Sequence, residues 1–195
     1  MAAGLKYELD PRPYYPEFCR FETVYRLAGG FNLVTDNLEQ GAKIPPLAPL
    51  SIDFATRKAT VVKNVRVVED AAVSSTTIKI AKGSLAYAGM IVGTGSAGAT
   101  VSSIDKSNPD YDVITLSAAF GAATTKGKIL FEASAAGGTT VKNKANFLNY
   151  AWTKVEPGAT VDGVGRAFEV KESKLIAPIA DKDKDTLKGV YIFIS

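Results

Sequence analysis

The chain has 195 residues, of which 46% are hydrophobic and 22% are charged, enough apolar material for the core of one folded domain. The net charge of +3 is spread over interspersed acidic and basic residues, which argues against nucleic-acid binding because that needs a concentrated basic face. The absence of histidine excludes Ser-His-Asp and Cys-His catalytic systems and most zinc sites, and a single cysteine, Cys19, excludes an intrachain disulfide. No apolar run approaches the ~20 residues of a membrane span, so we expect no membrane association and synthesis in a reducing cytoplasm.

Residues 1–40 differ in composition from the rest of the chain. Their aromatic residues are Tyr7, Tyr14, Tyr15, Phe18, Phe21, Tyr25 and Phe31. Three prolines, Pro11, Pro13 and Pro16, favour an extended path, and the spacing from Phe18 to Leu27 allows a short helix. These rings either pack on the chain's own core or form an arm that lies on a neighbouring subunit. We divide the chain into an N-terminal arm, residues 1–40, and a β domain, residues 41–195.

The β domain opens with a proline-rich link, residues 41–49, and continues as short segments rich in β-branched residues. Short strands separated by Gly, Asn-Pro and Asp turns predict a mainly β fold, a small β-barrel or sandwich. The predicted strands are Leu50–Phe54, Lys58–Val68, Thr76–Ala81, Met90–Val92, Ala99–Asp105, Asp112–Leu116, Gly127–Ala133, Gly165–Val170 and Val190–Ile194. The only helix candidates in this domain are Asn143–Thr153 and a turn near Asp181–Leu187.

Two stretches of this domain follow the same plan of a strand, a loop of small residues, and a second strand led by glycine. The first runs from Ile78 to Val92 and the second from Ile114 to Leu130. We expect two similar hairpins packed together, since two copies are too few for a solenoid.

The glycines Gly93, Gly95 and Gly98 match the spelling of the dinucleotide-binding fingerprint. That motif needs a helix after it, because the N–H groups of the first helical turn hold the pyrophosphate. Residues 99–105 alternate and are β-branched, which predicts a strand instead. We therefore expect these glycines to supply positive φ in a loop between strands.

Two further motifs are incomplete. Residues 121–128 resemble a phosphate-binding loop, but five residues separate the glycines where the motif has four. Residues 181–192 begin like a calcium loop, but Thr186 replaces the required glycine and Ile192 replaces the bidentate glutamate. We expect ordinary turns at both places.

Asp105 and Asp112 could form a carboxylate pair for acid–base hydrolysis or a weak calcium site. A turn whose Asp and Asn side chains cap backbone N–H groups is the simpler interpretation. Cys19 has no histidine to activate it and should be a small buried hydrophobe. We predict no catalytic residue, no metal and no cofactor.

The order in which several short stretches follow each other along the chain is more characteristic of a protein family than any of these motifs. They are residues 42–53, 59–67, 76–83, 99–116 and 127–133. Between Ile44 and Ile194 this order resembles a family of tailed-phage head proteins, the head fibre and head decoration proteins of phages of gut Bacteroidetes.

The resemblance implies a non-enzymatic virion protein on the outside of the capsid, often trimeric, bound to the major capsid protein and made in the host cytoplasm. No heptad or repetitive shaft follows the β domain, so a decoration protein or the capsid-anchoring base of a head fibre fits better than a fibre. We predict capsid-docking contacts from Tyr14, Tyr15, Phe18 and Phe21, because such rings bury much area at little cost in rotamer entropy.

The alternative is a carbohydrate-binding or adhesive β module on a virion or cell surface. Such modules stack aromatic rings on sugars. Tyr150 and Trp152 are spaced for one face of a strand and are the residues that would do so, although they could equally belong to the core.

Overall fold

A computed structural model describes residues 18–187 and 189–195 as two six-stranded sheets, a two-stranded ribbon and one short helix. The strands are β1 Arg20–Val34, β2 Lys43–Ile44, β3 Pro49–Asp53, β4 Lys58–Val61, β5 Asn64–Arg66, β6 Thr77–Ala81, β7 Ile91–Gly93, β8 Gly98–Asp105, β9 Tyr111–Leu116, β10 Ile129–Glu132, β11 Phe147–Asn149, β12 Thr153–Lys154, β13 Thr160–Lys171 and β14 Tyr191–Ile194. The helix is α1, Asp181–Leu187. The prediction of a mainly β fold is confirmed.

The first sheet joins the two ends of the described chain. Its order is β1-β4-β3-β11-β13-β14, and β1 also pairs with β13, so five strands close into a ring with β14 attached outside it. The β1–β13 pairing is antiparallel and runs from Arg20 to Asn32, whereas β14 lies parallel to β13. Buried aliphatic side chains pack against this sheet in two clusters, which explains why apolar residues recur through all these strands. Leu50 and Val61 belong to one cluster, and Leu148, Val164 and Val170 belong to the other, together with Leu187 of α1 and Tyr191 of β14.

The second sheet is one continuous insertion, residues 64–132, between β4 and β11. Its order is β5-β10-β7-β8-β9-β6, so β5 and β6 are its edge strands. The sheet curls until Val67, directly after β5, forms an antiparallel bridge with Ile80 of β6. Alternate residues of β6 and β9 face the interior, where Ile78, Ile80 and Ile114 are buried. This period-two burial is typical of strands that have one face in the core.

The two similar units do not form two hairpins, and that prediction is wrong. The first strands of the two units, β6 and β9, pair with each other, and so do the second strands, β7 and β10. Residues 82–90 between β6 and β7 are longer than a tight hairpin loop, so nothing local ties the two strands of a unit together. Pairing is decided by which apolar faces meet in the core.

Residues 181–187 form the helix α1, so the ordinary turn expected for the calcium-like stretch is wrong at its start, and the helices considered at Phe18–Leu27 and Asn143–Thr153 are wrong as well. β1 covers Arg20–Leu27 of the first, and β11, Phe147–Asn149, and the start of β12, Thr153–Lys154, lie in the second. Short segments with apolar residues three or four apart fit either structure, and pairing with β13 satisfies the backbone of both β1 and β11. Of the proposed arm, residues 1–17 lie outside the described residues, and β1 is part of the first sheet.

Three glycines meet where β7, β8 and the loop after β10 come together. Gly93 and Gly98 face each other across the β7–β8 pair, and a β-carbon on either would lie 2.6 Å from the Cα of Gly138. Gly95 has φ of +100° and its N–H donates to the Gly138 carbonyl at 2.8 Å. The expected positive φ is therefore right for Gly95 and wrong for Gly93 and Gly98, which are needed for close approach. The strand β8 follows, as the sequence predicted.

We expect Gly93→Ala to lower the free energy of unfolding by about 3 kcal/mol, because the added methyl overlaps backbone that cannot move aside. The matched control is Gly137→Ala, which has φ of +100° but no atom within 4 Å of the added carbon. It should cost about 1 kcal/mol through backbone strain alone. Urea denaturation measures both variants, and equal losses would contradict the close-packing account.

Candidate docking surface

The outer face of β1, β13 and β14 combines aromatic and aliphatic side chains. In β14, Tyr191 and Phe193 turn toward the core with ring centroids 6.1 Å apart, which leaves Ile192 and Ile194 on the opposite side, 52% and 38% exposed. Ala167 pairs with Tyr191 and is also buried, so its neighbour Phe168 points outward with Ile192.

The same face continues onto β1 through strand pairing. Residues opposite each other on antiparallel strands share a face, so Tyr25 lies with Arg166 and Arg20 with Phe168. Tyr25 is 58% exposed. We define the outer face by Tyr25, Arg166, Phe168, Ile192 and Ile194.

Arginines accompany the aromatic rings on and around the outer face. The Arg166 guanidinium lies 5.9 Å from the centre of the Phe168 ring, and the Arg20 Nη1 lies 3.4 Å from Glu169 Oε1. Nearby, Arg26 pairs with Asp162 and its guanidinium lies 4.8 Å from the Tyr150 ring centre. Aromatic residues and arginine are enriched at protein interfaces, because they bury area and donate hydrogen bonds from rigid groups.

The predicted docking residues separate in the structure. Tyr14 and Tyr15 lie outside the described residues. Phe18 is half-buried and packs on the core cluster that contains Cys19 and Tyr191. Phe21 is 50% exposed on β1, next to Arg20.

Cys19 is buried, as the sequence predicted for a small apolar residue. Burial raises the pKa of its thiol to about 11, and nearby Lys171 opposes the shift. A thiol with so high a pKa is largely protonated near neutral pH and is a poor nucleophile.

Sequence reasoning missed the contribution of β14 and of Phe168 to this surface. A signal was available in Val190-Tyr-Ile-Phe-Ile, where every position is apolar. A strand with one solvent face alternates, so an unbroken apolar run at a sheet edge indicates a second face that needs cover.

The two candidate sugar-binding rings do not share a strand face. Tyr150 and Trp152 lie in the connection between β11 and β12, so their predicted spacing along a strand is wrong. Tyr150 is half-buried against the core, whereas Trp152 is 41% exposed.

The candidate carboxylate pair also has structural partners. Asp112 is buried in β9, and its Oδ1 lies 2.6 Å from the Lys82 Nζ. Asp105 is exposed and accepts a hydrogen bond from the Ser107 N–H at 2.9 Å, which lowers the pKa of its carboxyl. The capping interpretation is thus confirmed for Asp105, while Asp112 forms an ion pair.

Neither aspartate lines a concavity of about 410 Å³ that lies between the β1–β2 loop and the second sheet. Residues such as Leu38, Leu85, Tyr87 and Ile104 line it instead. Within residues 18–187 and 189–195, no three Cys, Asp or Glu side chains are grouped so that they could hold a metal ion.

A family model described as head fiber protein matches residues 3–195. The chain belongs to the head fiber protein family. This confirms the resemblance drawn from the motifs and makes the chain a structural protein of a bacteriophage virion. No curated protein and no solved structure matches it. In the part of the chain that is described, no helix is long and apolar enough to cross a bilayer.

In this family member, buried polar groups join the two sheets. Asp183, in the stretch that begins like a calcium loop, lies in α1 and accepts hydrogen bonds from Asn64 Nδ2 at 2.7 Å and from the Ala180 N–H at 3.2 Å. Asn64 opens β5, so this contact holds the second sheet against α1. Burial raises the pKa of the Asp183 carboxyl, and the hydrogen bond from Asn64 opposes the rise.

A second buried group surrounds Glu132 at the end of β10. Its Oε1 accepts hydrogen bonds from the Tyr87 hydroxyl at 2.5 Å and the Lys142 Nζ at 2.8 Å. Lys63 is also buried, with its Nζ 5.1 Å from the centre of the Tyr87 ring. Burial lowers the pKa of Lys63, and the Glu132 charge opposes that effect. The Glu132 carboxylate thus balances the charges of Lys63 and Lys142, which stabilises the contact between the two sheets.

We expect Glu132→Gln to lower the free energy of unfolding by about 3 kcal/mol, because two lysines lose their buried counter-charge. Adding Lys63→Met should recover part of the loss. The control is Glu39→Gln, which removes an exposed ion pair with Lys106 at 3.3 Å and should cost under about 1 kcal/mol. Similar losses for Glu132→Gln and Glu39→Gln in chemical denaturation would show that Glu132 has no such role.

Asp183 should make stability depend on pH. Its pKa is higher in the folded than in the unfolded chain, so its stabilising contribution is fully present below the unfolded value of about 3.9 and is lost as pH rises through the folded value. The free energy of unfolding of the wild type, minus that of Asp183→Asn, should therefore fall as pH rises from about 4 toward neutral. A difference that stays constant over that interval would contradict the expectation.

Proposed function

We propose that this head fiber family member binds the outside of a phage capsid, as a decoration protein or as the base that anchors a head fibre, and that it catalyses no reaction. Its partner in this proposal is the major capsid protein, which it meets after synthesis in the host cytoplasm. The observation that carries the proposal is the part of the outer face on β1 and β13, where Tyr25 and Phe168 stand beside Arg166. Apolar strips of this kind, rimmed by polar groups, are typical of protein-binding sites.

The proposed docking residues have different roles. Phe18, which directly follows residues 1–17 in the chain, packs on the core. Phe21 and Tyr25 on β1 are exposed, and Tyr14 and Tyr15 would continue the contact onto the capsid. An extended segment covers a large area with few residues, although ordering it on binding costs free energy.

Weak single contacts are sufficient for such a protein if they are repeated. A homotrimer would present three outer faces to a symmetric lattice, and once one had bound, the others would act at high effective concentration. We therefore propose a trimer as the bound form.

The test is co-sedimentation of the purified protein with capsids that lack it. We expect the wild type to sediment with the capsids, and Tyr25→Asp to bind at least about 30-fold more weakly, as for a hot-spot residue worth about 2 kcal/mol. Removal of residues 1–17 should weaken binding further.

The matched control is Val73→Asp, which puts the same charge on an exposed residue of the region between β5 and β6. It should bind like the wild type. Failure of the wild type to sediment, or equal effects of Tyr25→Asp and Val73→Asp, would overturn the proposal.

A further inference from the structure

β14 is an open edge of the first sheet. Its neighbours form a closed ring, and among the described residues no strand pairs with the side of β14 that faces away from β13. An edge strand presents unpaired backbone N–H and C=O groups, and proteins usually protect such edges with charged residues or proline. β14 contains neither, since its residues are Tyr191-Ile-Phe-Ile.

The open edge coincides with an apolar surface. Ile192 and Ile194 are exposed on the outer face of the same strand, and Val190 directly before it is 41% exposed. Free backbone groups together with alternate apolar side chains are what an added strand needs, because the backbone supplies affinity and the side chains set the register.

The chain contains a segment of matching pattern. Residues 5–9 read Leu-Lys-Tyr-Glu-Leu, in which apolar and charged residues alternate. In a strand, Leu5, Tyr7 and Leu9 would face one side and the two charged residues the other. Such a strand could cover Ile192 and Ile194 while keeping Lys6 and Glu8 in solvent.

The position of Phe18 indicates which copy supplies this segment. The Phe18 carbonyl accepts a hydrogen bond from the Lys171 N–H at 2.7 Å, and Lys171 pairs with Ile194. A strand added beyond β14 would therefore lie three strand spacings from Phe18, roughly 14 Å. Residues 10–17 include Pro11, Pro13 and Pro16 and would span roughly 25 Å when extended. Because this reach exceeds the distance to the chain's own edge, and because the prolines oppose a reversal back onto that edge, the segment can reach the edge of a neighbouring copy.

We propose that the open edge of β14 accepts residues 5–9 of a second copy of this chain as an added strand, with Leu5, Tyr7 and Leu9 on the isoleucines of the outer face. Each copy then has one donor segment and one acceptor edge. Such a contact is heterologous, so it closes into a ring when repeated around an axis. It leaves Tyr25 and Phe21 on β1 for the capsid and forms without it.

The test is disulfide cross-linking between two versions of the full chain, both carrying Cys19→Ala. One version carries Tyr7→Cys and the other Ile192→Cys, and they are mixed, oxidised and separated on a non-reducing gel. We expect a mixed covalent dimer. The matched control replaces Ile192→Cys with Val73→Cys, which is exposed in the connection between β5 and β6 of the second sheet, and should give at least ten-fold less mixed dimer.

A single chain that carries both Tyr7→Cys and Ile192→Cys decides between the two sources of the strand. If it closes its disulfide within a monomer and the mixture gives no covalent dimer, the segment belongs to its own chain and the proposal is overturned. Equal cross-linking of Ile192→Cys and Val73→Cys would also overturn it.

Self-association without capsids provides a second measurement. Ile192→Lys with Ile194→Lys should raise the concentration of half-association in light scattering at least ten-fold, whereas Val73→Lys should leave it unchanged. If the two lysines have no effect on association, the proposal fails, whatever the capsid-binding result.

Discussion

The antiparallel pairing of β1 with β13 is the contact on which the rest of the molecule depends. It runs from Arg20 to Asn32, joins the beginning of the described chain to its last third, and closes the ring of the first sheet. Because β14 then pairs with the far side of β13, both ends of the described chain lie at one corner, where the Phe18 carbonyl meets Lys171. The outer face exists only because these three strands are neighbours.

A small number of buried polar contacts hold the second sheet to this frame. Asn64 and Asp183 join β5 to α1, and Glu132 balances the buried Lys63 and the exposed Lys142 where the insertion returns to the first sheet. Buried polar groups of this kind stabilise the native arrangement only when they are all present, since removing one leaves another buried without a partner. The close approach of Gly138 to the β7–β8 pair adds a steric requirement that no other residue type meets.

The chemistry of the surface fits a protein that works by assembly. The buried carboxylates have partners that belong to the fold: Asp112 has Lys82, Asp183 has Asn64, and Glu132 has Tyr87 and Lys142. Five of the nine exposed large hydrophobic residues in the described part of the chain lie on or next to β1 and β14, namely Phe21, Tyr25, Val190, Ile192 and Ile194. A rigid β frame suits a virion protein, because it keeps the binding groups of many copies in the same geometry.

The sequence by itself determined the fold class, most strand positions and the family, since these follow from local periodicity, turn residues and the order of short motifs. It also showed that Gly93, Gly95 and Gly98 precede a strand. Only the tertiary structure decided that β6 pairs with β9, that β1 is a strand, and that β14 leaves one edge and one apolar face uncovered. The physical reason is that the hydrophobic effect is non-directional. An apolar strand face is driven to become buried, but the segment that covers it depends on how distant parts of the chain pack together.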